Sequence, residues 1–352
     1  MWCLLAAALF GASTPAAKLL ANAAGPFLLS GILYLGAAIA VTPWLLRGAG
    51  WRGVGRRSAG RRSAVDRRNR LRLLGAVVFG GMIGPVCLLT GLRMAHAGSV
   101  SLWLNLETVA TAVLARLFFK EHLALRTWAA VALVLCASML LEPGSPEGGA
   151  AVGWVALACL AWGIDNNLTS LIDAYSPTEI TFAKGVAAGS MNLGLGLWFD
   201  PAALTAWTAG AGLAVGALGY GASLLLYVAG AQHLGATRSQ LLFSTAPLWG
   251  LLVAWLVLGE PVLASQLAAA PLMGLALWLW HHEHHEHPHR HAAVSHRHWH
   301  RHDDGHHQHP HGDDVAPHVW HSHQHLHEAV EHQHPHRPDL HHRHAHSSKG
   351  KS

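Results

Sequence analysis

Ten apolar runs, each about as long as a membrane-crossing helix, fill the first 280 residues of the chain. A helix needs about 20 apolar residues to cross the hydrocarbon of a bilayer, because each residue advances the helix by only about 1.5 Å. Charged or turn-rich segments separate the runs. The sequence therefore predicts an all-α membrane protein with ten transmembrane helices, at residues 2–21, 27–46, 71–93, 98–119, 127–142, 151–172, 178–198, 209–231, 237–258 and 262–280.

Composition favours the same class of protein. Only 12% of the 352 residues are charged and 51% are hydrophobic, whereas about 25% of the residues of a soluble globular protein are charged. The four cysteines lie singly in apolar runs, which is typical of buried thiols and not of a disulfide or zinc framework. No nucleotide-binding loop, nucleophile motif or zinc-hydrolase signature is found, so the sequence predicts that the protein is not an enzyme.

The loop at residues 47–70 predicts the orientation of the helices. It carries nine arginines and a single aspartate, Asp66. Short loops rich in lysine and arginine stay on the cytoplasmic side of a membrane. With ten helices, both termini are then expected in the cytoplasm of a cell with a bacterial-type inner membrane. The same clustering beside a predicted helix argues against nucleic acid as a partner.

The two halves of the body resemble each other. LFGASTPAAKLL at 9–20 aligns with AWGIDNNLTSLI at 161–172, and residues 98–123 align with 235–262, where each copy ends near a glutamate, Glu121 or Glu260. Each half contains five predicted helices, which is an odd number. The second copy therefore enters the membrane from the opposite face and is inverted relative to the first. Inverted repeats are typical of transporters.

In this order and spacing the motifs resemble the EamA type of the drug/metabolite transporter superfamily. The resemblance implies two five-helix repeats, 1–142 and 151–280, joined by a linker at 143–150. The first half departs from the family pattern: Glu107-Thr108-Val109 replaces the small-residue-then-proline form seen in the second half at residues 244–247.

Polar residues inside the predicted helices are the candidates for a substrate or coupling site, because an ionisable group in hydrocarbon costs at least about 2.5 kcal/mol. Glu107 could bind a cationic substrate or carry a coupling proton, or could be a packing carboxylate. Asp165 and Lys184 are expected at similar depth, as a static salt bridge or as a gate. The other candidates are Ser13, Thr14, Trp103, Asn105, Asn166, Asn167 and Gln240.

The segment at residues 281–352 differs from the body in composition. Of the 30 histidines of the chain, only His96, His122 and His233 precede Trp280. The tail has almost no apolar periodicity, so it is expected to be disordered. Neutral imidazole binds zinc, nickel, cobalt and copper. Representative expected metal ligands are His281, His282, His284, His285, His306, His307, His309, His341, His342 and His344.

Three functions remain open from the sequence. The first is a secondary transporter, an exporter of a small organic metabolite or drug-like solute, with the tail as a cytoplasmic metal-binding appendage and no required cofactor. The second is a divalent-metal transporter whose tail captures or senses the metal. The third is a membrane-anchored metal store. The expected partners are the lipid bilayer, a small solute and divalent metal ions, with a homodimer as an open alternative.

Overall fold

Helices form the body of the chain. The computed structural model describes residues 2–47, 67–119, 125–141, 146–172, 175, 177–199, 204–227, 242–281, 285–291, 294–300, 321–327 and 330–336. We number the helices in chain order as α1 Trp2–Ala24, α2 Pro26–Arg47, α3 Arg67–Met94, α4 Ala97–Trp103, α5 Leu106–Phe119, α6 Leu125–Leu140, α7 Pro146–Ser170, α8 Pro177–Phe199, α9 Ala206–Tyr227, α10 Ala246–Leu256 and α11 Ala264–His281.

The composition and surface of these helices suit a lipid environment. Within the described residues, six helical stretches are long and apolar enough to cross a membrane, and three shorter apolar helices accompany them. Large apolar side chains point outward: Trp198 is 84% exposed, Leu256 81% and Met139 79%. Such side chains are stable on an outer surface when lipid covers it. The chain is a polytopic α-helical membrane protein.

Within the described part of the body, regular helix geometry is interrupted by two turns and two π-helical segments. A turn at 104–105 separates α4 from α5, and a turn at 244–245 precedes α10. Wider π-helical segments occur at Val77–Ile83 within α3 and at Gly216–Ala222 within α9. Non-helical backbone at membrane depth is tolerated only where it lies against protein or lines a cavity. We therefore expect these turns and π segments to lie in the interior of the bundle.

Helices from the first half of the body pack against helices from the second half. Helix α1 packs against α10 and against the π segment of α9, while α7 packs against α5 and against α3. Helix α2 packs against α8, and α6 packs against α11. Each of these interfaces joins helices that are far apart in the chain, except for α7 with α5. The interior is consequently enclosed by both halves together.

Small residues bring α2 and α8 into backbone contact. A Cβ atom added at Gly185 would lie 2.8 Å from the Tyr34 carbonyl oxygen, and one added at Gly189 would lie 3.0 Å from the Leu35 backbone nitrogen. A glycine every fourth residue clears one stripe along a helix, which permits this approach. Larger residues at either position would separate the two helices.

Four segments of the tail are described as strands. The strands are β1 His285–His291, β2 Val294–His300, β3 His321–His327 and β4 Val330–His336. Strand β1 pairs antiparallel with β4, and β2 pairs antiparallel with β3. Histidine alternates with other residues along these segments, which is the period of a strand. The expected disorder of the rest of the tail stays a prediction.

Candidate functional site

A cavity of about 100 Å³ lies among α1, α4, α5, α10 and α11. Both helix turns contribute to its wall, through Leu104 and Asn105 from the first and Ser244 from the second. The remaining wall residues are Phe10, Gly11, Thr14, Ser101, Glu107, Thr108, Phe243, Ala246, Pro247 and Leu277. This volume holds several water molecules or the polar group of a small solute. The sequence-predicted residues Thr14, Asn105 and Glu107 are thus brought together.

Among the residues that the structure describes, Glu107 is the one carboxylate that lines the cavity. It lies in the first turn of α5, where the helix dipole favours a negative charge. The Asn166 side-chain amide donates hydrogen bonds to Glu107 Oε1 at 2.8 Å and to Thr111 Oγ1 at 3.2 Å. This amide therefore joins α7 to the wall of the cavity.

The polar run Asp165-Asn166-Asn167 turns its three side chains toward neighbouring helices. Asn167 donates to the Thr111 carbonyl of α5 at 3.1 Å and to the Gly163 carbonyl of α7 at 2.8 Å. Asp165 points instead to α8, where it forms a salt bridge with Lys184. The run thus connects α5, α7 and α8; Asp165 is buried, whereas Asn166 stays exposed.

The Asp165–Lys184 salt bridge is largely removed from solvent. The two side chains are 6% and 18% exposed, respectively. The Thr169 hydroxyl donates a further hydrogen bond to Asp165 Oδ1 at 3.0 Å. A buried pair with such an additional bond is stable while complete, but either member alone would be an uncompensated charge.

Gly80, in the π segment of α3, makes room for this pair. A Cβ atom at Gly80 would collide with the Asp165 carboxylate. The Gly80 carbonyl accepts hydrogen bonds from the Tyr34 hydroxyl at 2.5 Å and from the Trp162 indole nitrogen at 3.0 Å. The π segment is therefore the place where α2, α3 and α7 meet next to the ion pair.

Ser101 is the wall residue with an unsatisfied polar atom. It lies in α4, is 1% exposed, and its Oγ has no hydrogen-bond partner within the described part of the chain. Buried hydroxyls almost always have a partner, and each exception needs an explanation. An unpartnered hydroxyl on a cavity wall is suited to bind a molecule inside the cavity.

The two candidates on α1 have different surroundings. Thr14 lines the cavity, whereas Ser13 donates to the Phe10 carbonyl at 2.6 Å and packs against Gly219 of the π segment in α9. Both are 4% exposed. Of this pair, Thr14 is a cavity residue and Ser13 is a packing residue.

The remaining polar candidates divide in the same way. Asn105 lines the cavity and donates to the Leu102 carbonyl at 2.9 Å and to Met273 Sδ at 3.3 Å. Trp103 does not line it: the side chain is fully buried and the indole donates to the Ser138 carbonyl at 3.1 Å. Gln240 lies outside the described residues.

One end of the bundle is held by two charged side chains. Lys18 donates to carbonyl groups at and beyond the end of α3, including Ala95 O at 2.8 Å. The Glu260 carboxylate accepts hydrogen bonds from the first two backbone N–H groups of α4, at Ala97 (2.7 Å) and Gly98 (3.0 Å). These bonds fix the position from which α4 enters the bundle and reaches the cavity.

The structure describes the backbone of only two of the ten metal ligands expected in the tail. His281 ends α11 and His285 begins β1. The others lie outside the described residues, namely His282, His284, His306, His307, His309, His341, His342 and His344. Among the side chains that the structure describes, no three His, Cys, Asp or Glu residues come together as a metal centre.

Comparison with known proteins identifies the family. An uncharacterized transporter from Methanothermobacter thermautotrophicus is 27% identical over 222 residues, which is 57% of this chain; the chain spans only 62% of that relative's length. A solved crystal structure shares the fold, with a TM-score of 0.56 and 16% sequence identity. The superposition covers 79% of this chain and 95% of the chain in that structure. The EamA-like transporter family matches twice, at residues 1–142 and 149–280. The resemblance found in the sequence is confirmed, and the chain belongs to the EamA-like transporter family.

Proposed function

We propose that the chain is a secondary transporter that exports a small, positively charged organic solute by alternating access. The observation that carries this proposal is the cavity in which both helix turns meet and in which Glu107 is the carboxylate. Transporters commonly bind substrate near the bilayer midplane, between helices that are broken at that depth.

The arrangement of the helices supports two inverted repeats of five spans each. The two turns, 104–105 and 244–245, and the two π segments fall in matching places of the two halves. The interfaces match as well, because α1 packs on α10 as α7 packs on α5. Counting α4 with α5 as one span gives ten spans, the last of which, α11, leads to the tail.

The wall of the cavity supports a cationic solute. Glu107 offers a negative charge, and Ser101 offers an unpartnered hydroxyl. Phe10 and Phe243 lie on the same wall with ring centroids 5.4 Å apart. Aromatic faces attract organic cations by about 0.5–2 kcal/mol. A protonated amine would satisfy all of these features together, because its N–H groups can also donate to the hydroxyl.

A carboxylate in this position also accounts for coupling to a proton gradient. Glu107 can hold either a proton or a cationic group, so each displaces the other. A proton that enters while the solute leaves would then drive export. The arginine-rich loop at 47–70 supports cytoplasmic termini in an inner membrane, and so a solute that is collected from the cytoplasm.

The test is transport in proteoliposomes with an imposed proton gradient, using cationic, neutral and anionic fluorescent probes of similar size. We expect the Glu107→Gln variant to lose about 1.5–3 kcal/mol of binding free energy for the cation, about a tenfold to hundredfold weaker affinity. Glu179→Gln, which removes a carboxylate in the first turn of α8 outside the cavity wall, is the matched control.

Two results would overturn the proposal. One is cation transport by Glu107→Gln at the wild-type rate and affinity. The other is transport of the anionic probe in preference to the cation. Zinc ion, tested in the same vesicles, separates the organic-solute function from the competing hypothesis of metal transport.

A further inference from the structure

The segment that follows α10 turns a carboxylate back toward the bundle. Gly259 has a φ of +65°, a backbone conformation that favours glycine. The Glu260 backbone N–H donates to the Ala254 carbonyl at 3.1 Å, the bond that closes a helix ending in a left-handed glycine. The chain therefore stops α10 at a fixed point and places Glu260 beside α4.

The Glu260 carboxylate holds the first turn of α4. It accepts hydrogen bonds from the backbone N–H groups of Ala97 at 2.7 Å and Gly98 at 3.0 Å. The first N–H groups of a helix have no partner within the helix, and a negative charge beside them is favourable. Hydrogen bonds to an ionised acceptor are also stronger than neutral ones. Two such bonds thus connect the end of α10 to the start of α4.

Lys18 of α1 holds the chain just before α4. Its ammonium group donates to the carbonyls of Leu92 and Ala95, which lie at the end of α3 and immediately beyond it. We call Lys18, Glu260 and their four hydrogen bonds the latch. The latch connects α1 and α10 to the link between α3 and α4.

The latch lies about one helical turn from the cavity. On α1, Thr14 precedes Lys18 by four residues, and on α4, Ser101 follows Ala97 by four residues; both Thr14 and Ser101 line the cavity. Four residues advance a helix by about 6 Å. Helix α4 packs against α1 and α10. The first turn of α4 therefore separates the cavity from this end of the bundle.

Both charged groups of the latch are half-buried. When their bonds break, water can take the place of the lost partners, so the cost of opening is small compared with that of separating a buried ion pair. The Asp165–Lys184 pair, at 6% and 18% exposure, has no such replacement. Of these two charged contacts, the latch is the one suited to open and close repeatedly.

We propose that the latch is a gate of the cavity: the first turn of α4 closes this end while Lys18 and Glu260 are bonded, and opens it when they are released. The arginine-rich loop at 47–70 precedes α3, so the end of α3 and the latch are expected outside the cell. For an exporter this is the exit gate. The proposal rests on the transport function proposed above, but its test measures access to the cavity and not transport.

The test is labelling of a cavity cysteine by a membrane-impermeant maleimide added to intact cells. The reporter is Ser101→Cys, in a protein whose four native cysteines are replaced by alanine. Glu260→Gln and Lys18→Met weaken the latch from two different elements. Glu179→Gln, which removes a carboxylate in the first turn of α8, is the matched control.

We expect each latch variant to be labelled about tenfold faster than the reporter protein with an intact latch. Loss of a hydrogen bond to a charged group shifts a two-state equilibrium by about this factor. The control should be labelled at the rate of the intact latch. Unchanged labelling of both latch variants would overturn the proposal.

The same labelling in inside-out vesicles separates opening from unfolding. A gate at the outer end should raise labelling from the outside alone. A rise of equal size from both sides, or from the inside alone, would overturn the proposal. Faster labelling from outside without any transport of the cationic probe would support the latch and count against the proposed solute instead.

Discussion

Two interfaces of the bundle, α1 with α10 and α7 with α5, are built alike. In each, the glycine of an aromatic-Gly pair, Phe10-Gly11 or Trp162-Gly163, lies close to the backbone of the opposing helix. A Cβ atom at Gly11 would collide with the Ala246 carbonyl oxygen of α10. One at Gly163 would lie 3.0 Å from the Thr111 backbone nitrogen of α5. The same motif therefore gives the same backbone contact in both places.

The chemistry of the two interfaces differs. At the α7–α5 interface, Asn166 and Asn167 bind Glu107 and Thr111, and Asp165 continues the polar network to α8. At the α1–α10 interface, the cavity wall is formed by neutral residues such as Thr14 and Pro247. The two interfaces thus share a backbone contact, but a carboxylate with polar partners lies on one side of the cavity and neutral side chains lie on the other.

The largest effect is expected at the ion pair of the charged side. Replacing Asp165 by alanine leaves Lys184 buried without a counter-charge, which destabilises a protein by about 3–5 kcal/mol. Thermal unfolding of the purified protein in detergent measures this loss. Ser13→Ala, at the aligned position of α1, is the matched change on the neutral side and should have a much smaller effect.

The double variant Asp165→Ala with Lys184→Met sharpens this result. It removes both charges, so most of the lost stability should return. If it folds and also transports, the salt bridge is static; if it folds but does not transport, the pair takes part in the transport cycle. A single Asp165→Ala variant as stable as the wild type would contradict the buried pair.

A smaller effect is expected at the two glycines. Gly11→Ala pushes a methyl group into backbone of α10 and should cost about 1–3 kcal/mol, as overpacking does. Gly163→Ala meets its neighbours at 3.0–3.1 Å and should cost less. Gly153→Ala, in α7 with nothing within 4 Å, is the neutral control. The unfolding temperatures of the three variants in detergent rank their losses of stability. A larger loss for Gly163→Ala than for Gly11→Ala would contradict the packing described for the two interfaces.

Much of the charged side could be predicted from the sequence. Hydrocarbon excludes ionisable groups, so the few that occur within apolar runs are conspicuous. Glu107 was predicted for the substrate site and lies on the cavity wall. Asp165 and Lys184 were predicted at similar depth and form a salt bridge. The family was predicted as well, because paired motifs at fixed spacing survive in the sequence.

Thr14 and Asn105 were predicted and line the cavity, but other neutral participants could not be predicted. Tyr34, Gly80 and Ser101 look like ordinary residues of apolar spans, and only packing shows that they surround the ion pair or the cavity. Trp103 was among the predicted candidates for the substrate site, yet a turn begins at Leu104 and the indole packs in the core. Side-chain direction at a helix break depends on the break itself, which hydropathy does not indicate.

The smallest effect is expected at two neighbouring serines of α4, which separate binding from packing. Ser101 Oγ has no partner in the described part of the chain, whereas Ser99 Oγ accepts a hydrogen bond from Gln266 at 3.2 Å. Ser101→Ala should leave unfolding unchanged and weaken binding of the cationic probe by about 0.5–1.5 kcal/mol, a hydrogen bond's worth. Ser99→Ala should do the reverse, since it lies off the cavity wall and breaks an internal bond. Parallel measurements of unfolding and probe affinity decide the matter: if Ser101→Ala lowers stability and leaves affinity intact, the hydroxyl serves packing, and solute recognition rests on Glu107 and the aromatic rings.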